Sequence, residues 1–500
     1  MNIKLELGNL ETIRTVDSRL MSYNVEMTEV TGGTFWKEFT PAQIAGTAEF
    51  PGVKDFSEMA GLIQWYDPID LYNPRLRKLA KELGSAWIRV SGSWATKTYY
   101  DFDGHTGGTA PEGFQSVLTK DQWVGVLEFA KAVDGKILVS VGNCEGNHPG
   151  GGPLDLSQAK LLFKFSSDYG VPIAAAEFMN EPNILEMSGA PKGYTPVDYV
   201  RDHDLFNAWV RENYPDCLIV GPCTADSQLM EKGDGNTKSG AGLAEVLPSC
   251  STEDLMRGSQ VALDVFSYHC YNGVSERIAS VMPDVHWDAS QALSDDYLAM
   301  AGNCARSFVP VRDKYVPGGQ IWVTESADAG GGGNTWGSTY LDVPRTLNEL
   351  GEFATITDGV IFHNTLASSD YGFLRHSTFE PRPNYFAVLL WQQLMGNTVY
   401  DSKIPTAEGA HVFCHSRKDG KDGCVYMIIN NSETETTLVE LPQEAVCYKL
   451  AGKDGLRSSV MTLNGRDLVL GEDSELPDLS GETVSGKIEL APGTCTFIIM

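Results

Sequence analysis

Two glutamates, Glu181 and Glu325, each end a short β-type run, one in Phe178-Met-Asn-Glu-Pro-Asn183 and the other in Gln320-Ile-Trp-Val-Thr-Glu325. Two carboxyls sharing one cavity are the equipment for cleaving a glycosidic bond. One protonates the departing oxygen, and the other attacks the anomeric carbon or activates water. The tripeptide Asn-Glu-Pro arises by chance on the order of once in several thousand positions at ordinary residue usage. Four glycines, Gly330, Gly331, Gly332 and Gly333, follow the second glutamate. Such a run is ordinarily flexible loop, yet backbone N–H groups with no side chain in the way also cradle an anion. It lacks the Gly-Lys-Ser/Thr ending and the Gly-x-Gly-x-x-Gly spacing of phosphate- and dinucleotide-binding loops.

Those glutamates need elements to hold them. Eight β-type runs recur: Leu20 to Glu26, Trp87 to Ser91, Lys136 to Gly142, Ile173 to Met179, Cys217 to Gly221, Asp264 to His269, Gln320 to Glu325 and Gly359 to His363. Several are near-continuous apolar runs, as strands buried on both faces of a parallel sheet must be. Helical periodicity fills the gaps at Pro74 to Leu83, Asp121 to Val133, Ser157 to Ser167, Val197 to Asn213, Asp295 to Arg312 and Thr346 to Thr355. Eight alternations predict an α/β chain folded as a (β/α)₈ TIM barrel; an open doubly wound sheet fits the same pattern. In the barrel, Glu181 ends the fourth strand and Glu325 the seventh, both at the mouth where such folds carry their sites. From about residue 396 short strands replace helices: Val412 to His415, Val425 to Asn430, Glu435 to Leu441, Lys487 to Leu490 and Thr494 to Met500. The expected division is a catalytic barrel over 16–395 and a β-sandwich over 396–500, joined by a strand from 1–15.

Composition limits what such a chain binds. The 500 residues carry 38 Lys and Arg against 66 Asp and Glu, a net charge of −28. That excess argues against a nucleic-acid partner and an anionic membrane, and more weakly against a polyanionic sugar chain. No apolar run approaches the roughly 18 residues of a membrane helix. The first residues lack the apolar core of a signal peptide, so the chain reads as cytoplasmic, or as periplasmic or secreted if a signal has been removed. Ten cysteines without a Cys-x-x-Cys pair read as mostly reduced thiols. His411, Cys414, His415 and Cys424 look like zinc ligands. However, a hairpin around Arg417-Lys-Asp-Gly420 would set Cys414 opposite Cys424 and send His411 to the other face, so no metal is expected.

The residues also carry a resemblance. Trp87-Ile-Arg-Val-Ser-Gly-Ser93, Phe178-Met-Asn-Glu-Pro-Asn183, Ser267-Tyr-His-Cys-Tyr-Asn-Gly273, Glu325-Ser-Ala-Asp-Ala-Gly-Gly-Gly-Gly333 and Gly455-Leu-Arg-Ser-Ser-Val-Met-Thr-Leu-Asn-Gly465 together resemble the heparanase and β-glucuronidase family, glycoside hydrolase family 79. Asn-Glu-Pro is shared by the wider clan of retaining glycosidases; the glycine run and the sandwich stretch narrow it to the family. The resemblance implies Glu181 as general acid/base and Glu325 as nucleophile, with Asn180 on the sugar's 2-hydroxyl. It implies that Tyr271 and Arg89 orient Glu325, with His269 in support, and that Gly331, Gly332 and Tyr371 hold the uronate carboxylate. Glu26 stands where the heparanases carry an Asp that contacts the sugar, and Ser93 where they carry a Thr.

The expected activity is that of a retaining β-glucuronidase acting on a glucuronic-acid glycoside or oligosaccharide, with no cofactor. The alternatives are an endo-β-glucuronidase of heparanase or hyaluronidase type on glycosaminoglycan chains, and an inactive sugar-binding barrel. A neutral-sugar glycosidase would leave Gly331, Gly332 and Tyr371 without an anion. Trp36 and His148, on the long loops Met27 to Gln64 and Gly142 to Gly152, and Trp94 are candidate subsite residues. Lys192, Lys232 and Lys238 are too scattered among acids for a sulfated chain.

Overall fold

The computed structural model describes residues 1–8, 10–225 and 249–500, which leaves Lys232 and Lys238 outside the described residues. Eight parallel strands close into a barrel: Met21–Glu26, Trp87–Ser91, Lys136–Ser140, Ala175–Glu177, Leu218–Thr224, Val265–Tyr271, Gln320–Ala327 and Val360–His363. Closure is made by the eighth strand on the first, with Ile361 beside Met21 and His363 beside Tyr23.

Strand alternation gives this barrel a floor and a working end. Along the second strand, Ile88 and Val90 join the cluster between barrel and helices, while Trp87 and Arg89 point inward. The inward floor is a small apolar cluster containing Trp87, Leu138, Val220, Trp322 and Phe362, with the two tryptophan rings 4.8 Å apart. One inward layer higher the side chains become Arg89, Ser140, Glu177, Ser267 and His269, all buried. A dry apolar plug beneath a charged layer lowers the local dielectric around that layer and strengthens its ion pairs.

The helices flank the strands as their periodicity implies, except that the stretch expected as one helix from Asp295 is two, Asp295–Leu298 and Met300–Tyr315. The fourth strand is also shorter than its apolar run. It stops at Glu177, and the chain turns toward Glu181, whose φ of 43° lies in the left-handed region that non-glycine residues rarely adopt.

Beyond the barrel, one sheet contains Thr12–Thr15, Met395–Tyr400, His411–Arg417, Cys424–Asn430, Thr494–Ile499 and Ala445–Gly452, with shorter strands at its far edge. A three-stranded sheet of Asn2–Lys4, Thr437–Glu440 and Lys487–Leu490 packs against it. The large sheet is covered on both faces. Val412, Tyr426, Ile428 and Ile498 meet the small sheet, whereas Phe413, Met427, Ile429 and Phe497 belong to the main core with the barrel helices. This explains the unbroken apolar character of Cys424–Asn430. Gly351 of helix Val343–Ile356 lies against the Phe413 ring, where a Cβ would come within 2.4 Å. The Tyr340 hydroxyl donates to the Leu450 carbonyl at 2.9 Å, a second tie between barrel and sheet.

The hairpin of His411–Arg417 and Cys424–Asn430 pairs Ser416 with Cys424 and Cys414 with Tyr426. The two cysteines are therefore diagonal neighbours rather than opposite each other, because the strand continues to Arg417 and the turn centres on Gly420. His411 faces Asn348 and Asp295, and His415 bonds the Gly396 carbonyl, so the histidines and cysteines lie on different faces of the sheet. Among the described residues no helix is long and apolar enough to cross a membrane.

Candidate active site

Arg89 organises the barrel mouth. Its Nε donates to Glu177 Oε2 at 2.9 Å, Nη1 to Glu325 Oε1 at 2.9 Å, and Nη2 to Asn180 Oδ1 at 2.7 Å. Nη2 also faces His269 Nε2 at 3.3 Å. Burial works against the guanidinium's charge, but the Glu177 and Glu325 carboxylates outweigh it and raise its pKa further. A planar fork with five donors can serve three strands at once, which a lysine cannot. Since a guanidinium only donates, His269 Nε2 accepts and Nδ1 carries the proton, 3.0 Å from Glu181 Oε1 and 3.5 Å from Glu325 Oε2.

The two glutamates meet across this frame. One carboxylate oxygen from each, together with a His269 ring nitrogen, lie within 4.8 Å of one another. Glu325 is almost fully buried, and burial alone would raise its pKa. The His269 edge, the Arg89 charge and the Tyr271 hydroxyl, which donates to Oε2 at 2.5 Å, outweigh burial and hold it below the usual range. Tyr271 in turn accepts from Asn364 Nδ2 at 2.9 Å, so its own proton is committed to Glu325. Asn180 Oδ1 is occupied by Arg89, which leaves its NH₂ for the cavity. Glu26 ends the first strand against Gly92, where a Cβ would stand 1.7 Å from Glu26 Oε2; only a glycine makes room for the longer acid. Burial, then the neighbouring Glu325, push the Glu26 carboxyl well above the ordinary range despite Arg89, so the neutral acid is favoured.

The glycine run forms the far wall. Gly331 and Gly332 have φ of 88° and 92°, and neither N–H has an acceptor among the described residues. The carbonyls point the other way: Arg277 Nη1 donates to Gly333 O at 2.7 Å and Gly331 O at 3.3 Å, and Ser369 Oγ to Gly332 O at 2.9 Å. Arg277 is buried, pairs with buried Asp370 at 2.5 Å, and lies 3.8 Å from the Phe39 ring centroid. Each carbonyl shares its peptide with the next residue's N–H, so the Gly331 N–H is oriented by the Gly330 carbonyl, which accepts from the Ser275 N–H at 2.8 Å. Gly331 and Tyr371 line the cavity. Gly332 does not: it is buried beneath Trp36, whose Cγ would be 2.6 Å from an added Cβ. Tyr371 Oη accepts from Asn364 Nδ2 at 3.2 Å and keeps its own proton to donate.

The cavity holds about 460 Å³ and opens between loops that follow several strands. Ser93, Trp36 and Trp94 line it, whereas His148 does not; its ring bonds Asn143 and the Gly152 carbonyl and packs edge-on to Tyr194. The segment read as a long loop after Met27 contains a hairpin, Gly33–Trp36 paired with Ile63–Tyr66, that carries Phe35, Trp36 and Ile63 to the mouth. Asn364, Arg277 and Asp370 are parts of the candidate site that the sequence did not announce. Only Asn364 carried a usable signal, standing directly after the eighth strand. Glu181, His269 and Glu325 are ligand types that could bind a cation, but both Glu325 oxygens are already bonded and the Arg89 charge fills the site. Asp101, Asp103 and His105 form a second such set on a loop, where Asp101 accepts from the His105 and Thr106 N–H groups.

No family model matches the chain. Heparanase-like protein 1 of Arabidopsis thaliana is 22% identical over 486 residues, covering 86% of this chain and 85% of its own. The hyaluronoglucuronidase of Hirudo nipponia is 24% identical over 479 residues, covering 86% and 90%. Among solved structures, a 4-O-α-L-rhamnosyl-β-D-glucuronidase from Fusarium oxysporum 12S superposes with a TM-score of 0.60 over 100% of both chains at 12% identity, a likeness of fold.

Proposed function

We propose that the chain, which is similar to a heparanase-like protein and a hyaluronoglucuronidase at 22–24% identity over 86% of its length, is a retaining β-glucuronidase. The Glu325 carboxylate attacks the anomeric carbon, the glycosidic C–O bond breaks, and Glu181 passes its proton to the departing oxygen. The sugar is then esterified to Glu325. Glu181, now a base, takes a proton from water as the water opens that ester, which releases glucuronic acid and restores both carboxyls. The observation that carries this reading is that one oxygen of Glu181 and one of Glu325 share the His269 Nδ1 edge, at 3.0 and 3.5 Å, and lie within 4.8 Å of each other, which leaves little room for a water between the carboxyls. Retaining enzymes hold the groups about 5–5.5 Å apart, and inverting ones leave room for a water at about 6.5–9.5 Å.

The uronate end is supported by the unused Gly331 N–H and the Tyr371 hydroxyl. A neutral Glu26 matters here too, since an ionised one would repel an anionic sugar. The Asn180 NH₂ is free to hold the 2-hydroxyl.

The test is hydrolysis of 4-nitrophenyl β-D-glucuronide beside the matching glucoside and xyloside, with Glu325→Gln as the blank. The glucuronide is expected to turn over selectively and with retention at the anomeric carbon, and the variant to lose about 10⁴-fold or more. Equal turnover of the glucoside, or a fully active Glu325→Gln enzyme, overturns the proposal.

A further inference from the structure

The mouth of the cavity differs from its depth. Around Glu181 and Glu325 the walls are polar, but the rim is built from Phe35, Trp36, Ile63, Trp94 and Met187. These come from three separate loops, so the apolar character is not one accidental side chain. Met187 is 49% exposed, and Phe35, Trp36, Ile63 and Trp94 are partly exposed. The wall behind them is firm: Trp36 and Met59 pack on a buried cluster of Val53, Leu62, Val274, Ile278 and Val285. Among the described residues Lys97 is the only basic side chain lining the cavity, and it is already used. Its Nζ lies 4.9 Å from the Trp94 ring centroid and its carbon chain covers Gly189.

Resting on the proposed glucuronidase reading, we infer that the group leaving from the glucuronide is an apolar aglycone, an aryl or alkyl alcohol of roughly one to two rings in size, rather than a glycosaminoglycan chain. Isoleucine and methionine offer no hydrogen bond to sugar hydroxyls, so a sugar ring placed there would lose hydration without compensation. An apolar aglycone loses nothing and gains by leaving water. A glycosaminoglycan repeats its negative charge along its length, and among the described residues lining the cavity would meet one engaged lysine, on a chain of net charge −28.

The experiment compares ethyl, butyl and octyl β-D-glucuronide, whose leaving alcohols differ little in acidity, with a hyaluronan tetrasaccharide and a heparosan tetrasaccharide, each ending in glucuronic acid. KM is expected to fall by about tenfold or more from ethyl to octyl, and the octyl glycoside to exceed both tetrasaccharides in kcat/KM. Met187→Ser and Ile63→Ser are expected to flatten that gradient. A flat alkyl series, or tetrasaccharides cleaved better than octyl glucuronide, overturns the aglycone inference and leaves the glucuronidase reading standing. Cleavage of octyl glucoside in place of the glucuronide overturns the underlying reading instead.

Discussion

Tyr271→Phe removes one hydroxyl and leaves the ring, which stacks on Tyr371 with centroids 6.4 Å apart, so the cavity keeps its shape. What is lost is the 2.5 Å donation to Glu325 Oε2. A hydrogen bond to an ionised group contributes about 1.5–3 kcal/mol. It favours the charged carboxylate, so losing it raises the nucleophile's pKa, by about 1 to 2 units at about 1.4 kcal/mol per unit. Arg89 and His269 stay in place, so two of the partners that favour the charged carboxylate remain. The acid limb of kcat/KM reports ionisations of the free enzyme, and it is expected to move upward by that amount while the alkaline limb stays. The assay is kcat/KM for the nitrophenyl glucuronide from about pH 3 to 8. An acid limb that does not move while the plateau falls would refute the reasoning, and would mean that Tyr271 acts on the sugar rather than on Glu325.

Two further predictions concern the groups behind the site. Burial raises the Glu29 pKa from 4.5 to about 8, the bond from the Glu26 N–H notwithstanding. A carboxyl raised in the folded state contributes stability that is full below its unfolded pKa and is lost as pH climbs through the folded one. Denaturant stability is therefore expected to decline from about pH 5 to 8, and Glu29→Gln to reduce that decline by about 1.4 kcal/mol per pH unit; an unaltered slope in the variant rejects the assignment. Arg277→Gln strands buried Asp370 and is expected to cost about 3–5 kcal/mol in equilibrium unfolding, with Asp370→Asn in the same chain recovering part of the loss. Strictly additive single changes would dismiss the pair as a coupled unit.

The barrel was legible because its signal is local. Trp87–Ser91 is an apolar strand whose ends are marked in the sequence, and a helix follows nearly every such run, so eight repeats could be counted without a contact being known. That Glu181 and Glu325 share one mouth was legible for the same reason: a position at or just past a strand's end in a barrel fixes which mouth a side chain serves. The rest depends on partners distant in sequence. Nothing near Arg277 announces Asp370, 93 residues away, and nothing in Gly33–Trp36 announces its pairing with Ile63–Tyr66 across a polar loop. Gly331 and Gly332 read alike as sequence, yet Trp36 closes tightly over the second, 2.6 Å from an added Cβ, and only brushes the first at 3.9 Å. The Cys414–Cys424 pairing slipped by two residues because hairpin register is set by where the turn closes, which apolar alternation alone leaves open.

The strands on either side of the barrel have a mechanical consequence. Thr12–Thr15, just before the first barrel strand, is hydrogen-bonded to Met395–Tyr400, which follows the helix after the last, with Thr398 beside Thr15. The chain therefore enters and leaves the barrel through one zipped pair, adjacent to the seam between first and eighth strands. To part that seam, where Glu26 and Asn364 stand, the chain must also unzip the sheet below it. The sandwich acts as a clasp on the active site's own joint. Heat or denaturant should then meet one cooperative body rather than a barrel and an appendage, and the alignment of the mouth lasts as long as the sheet that clasps it.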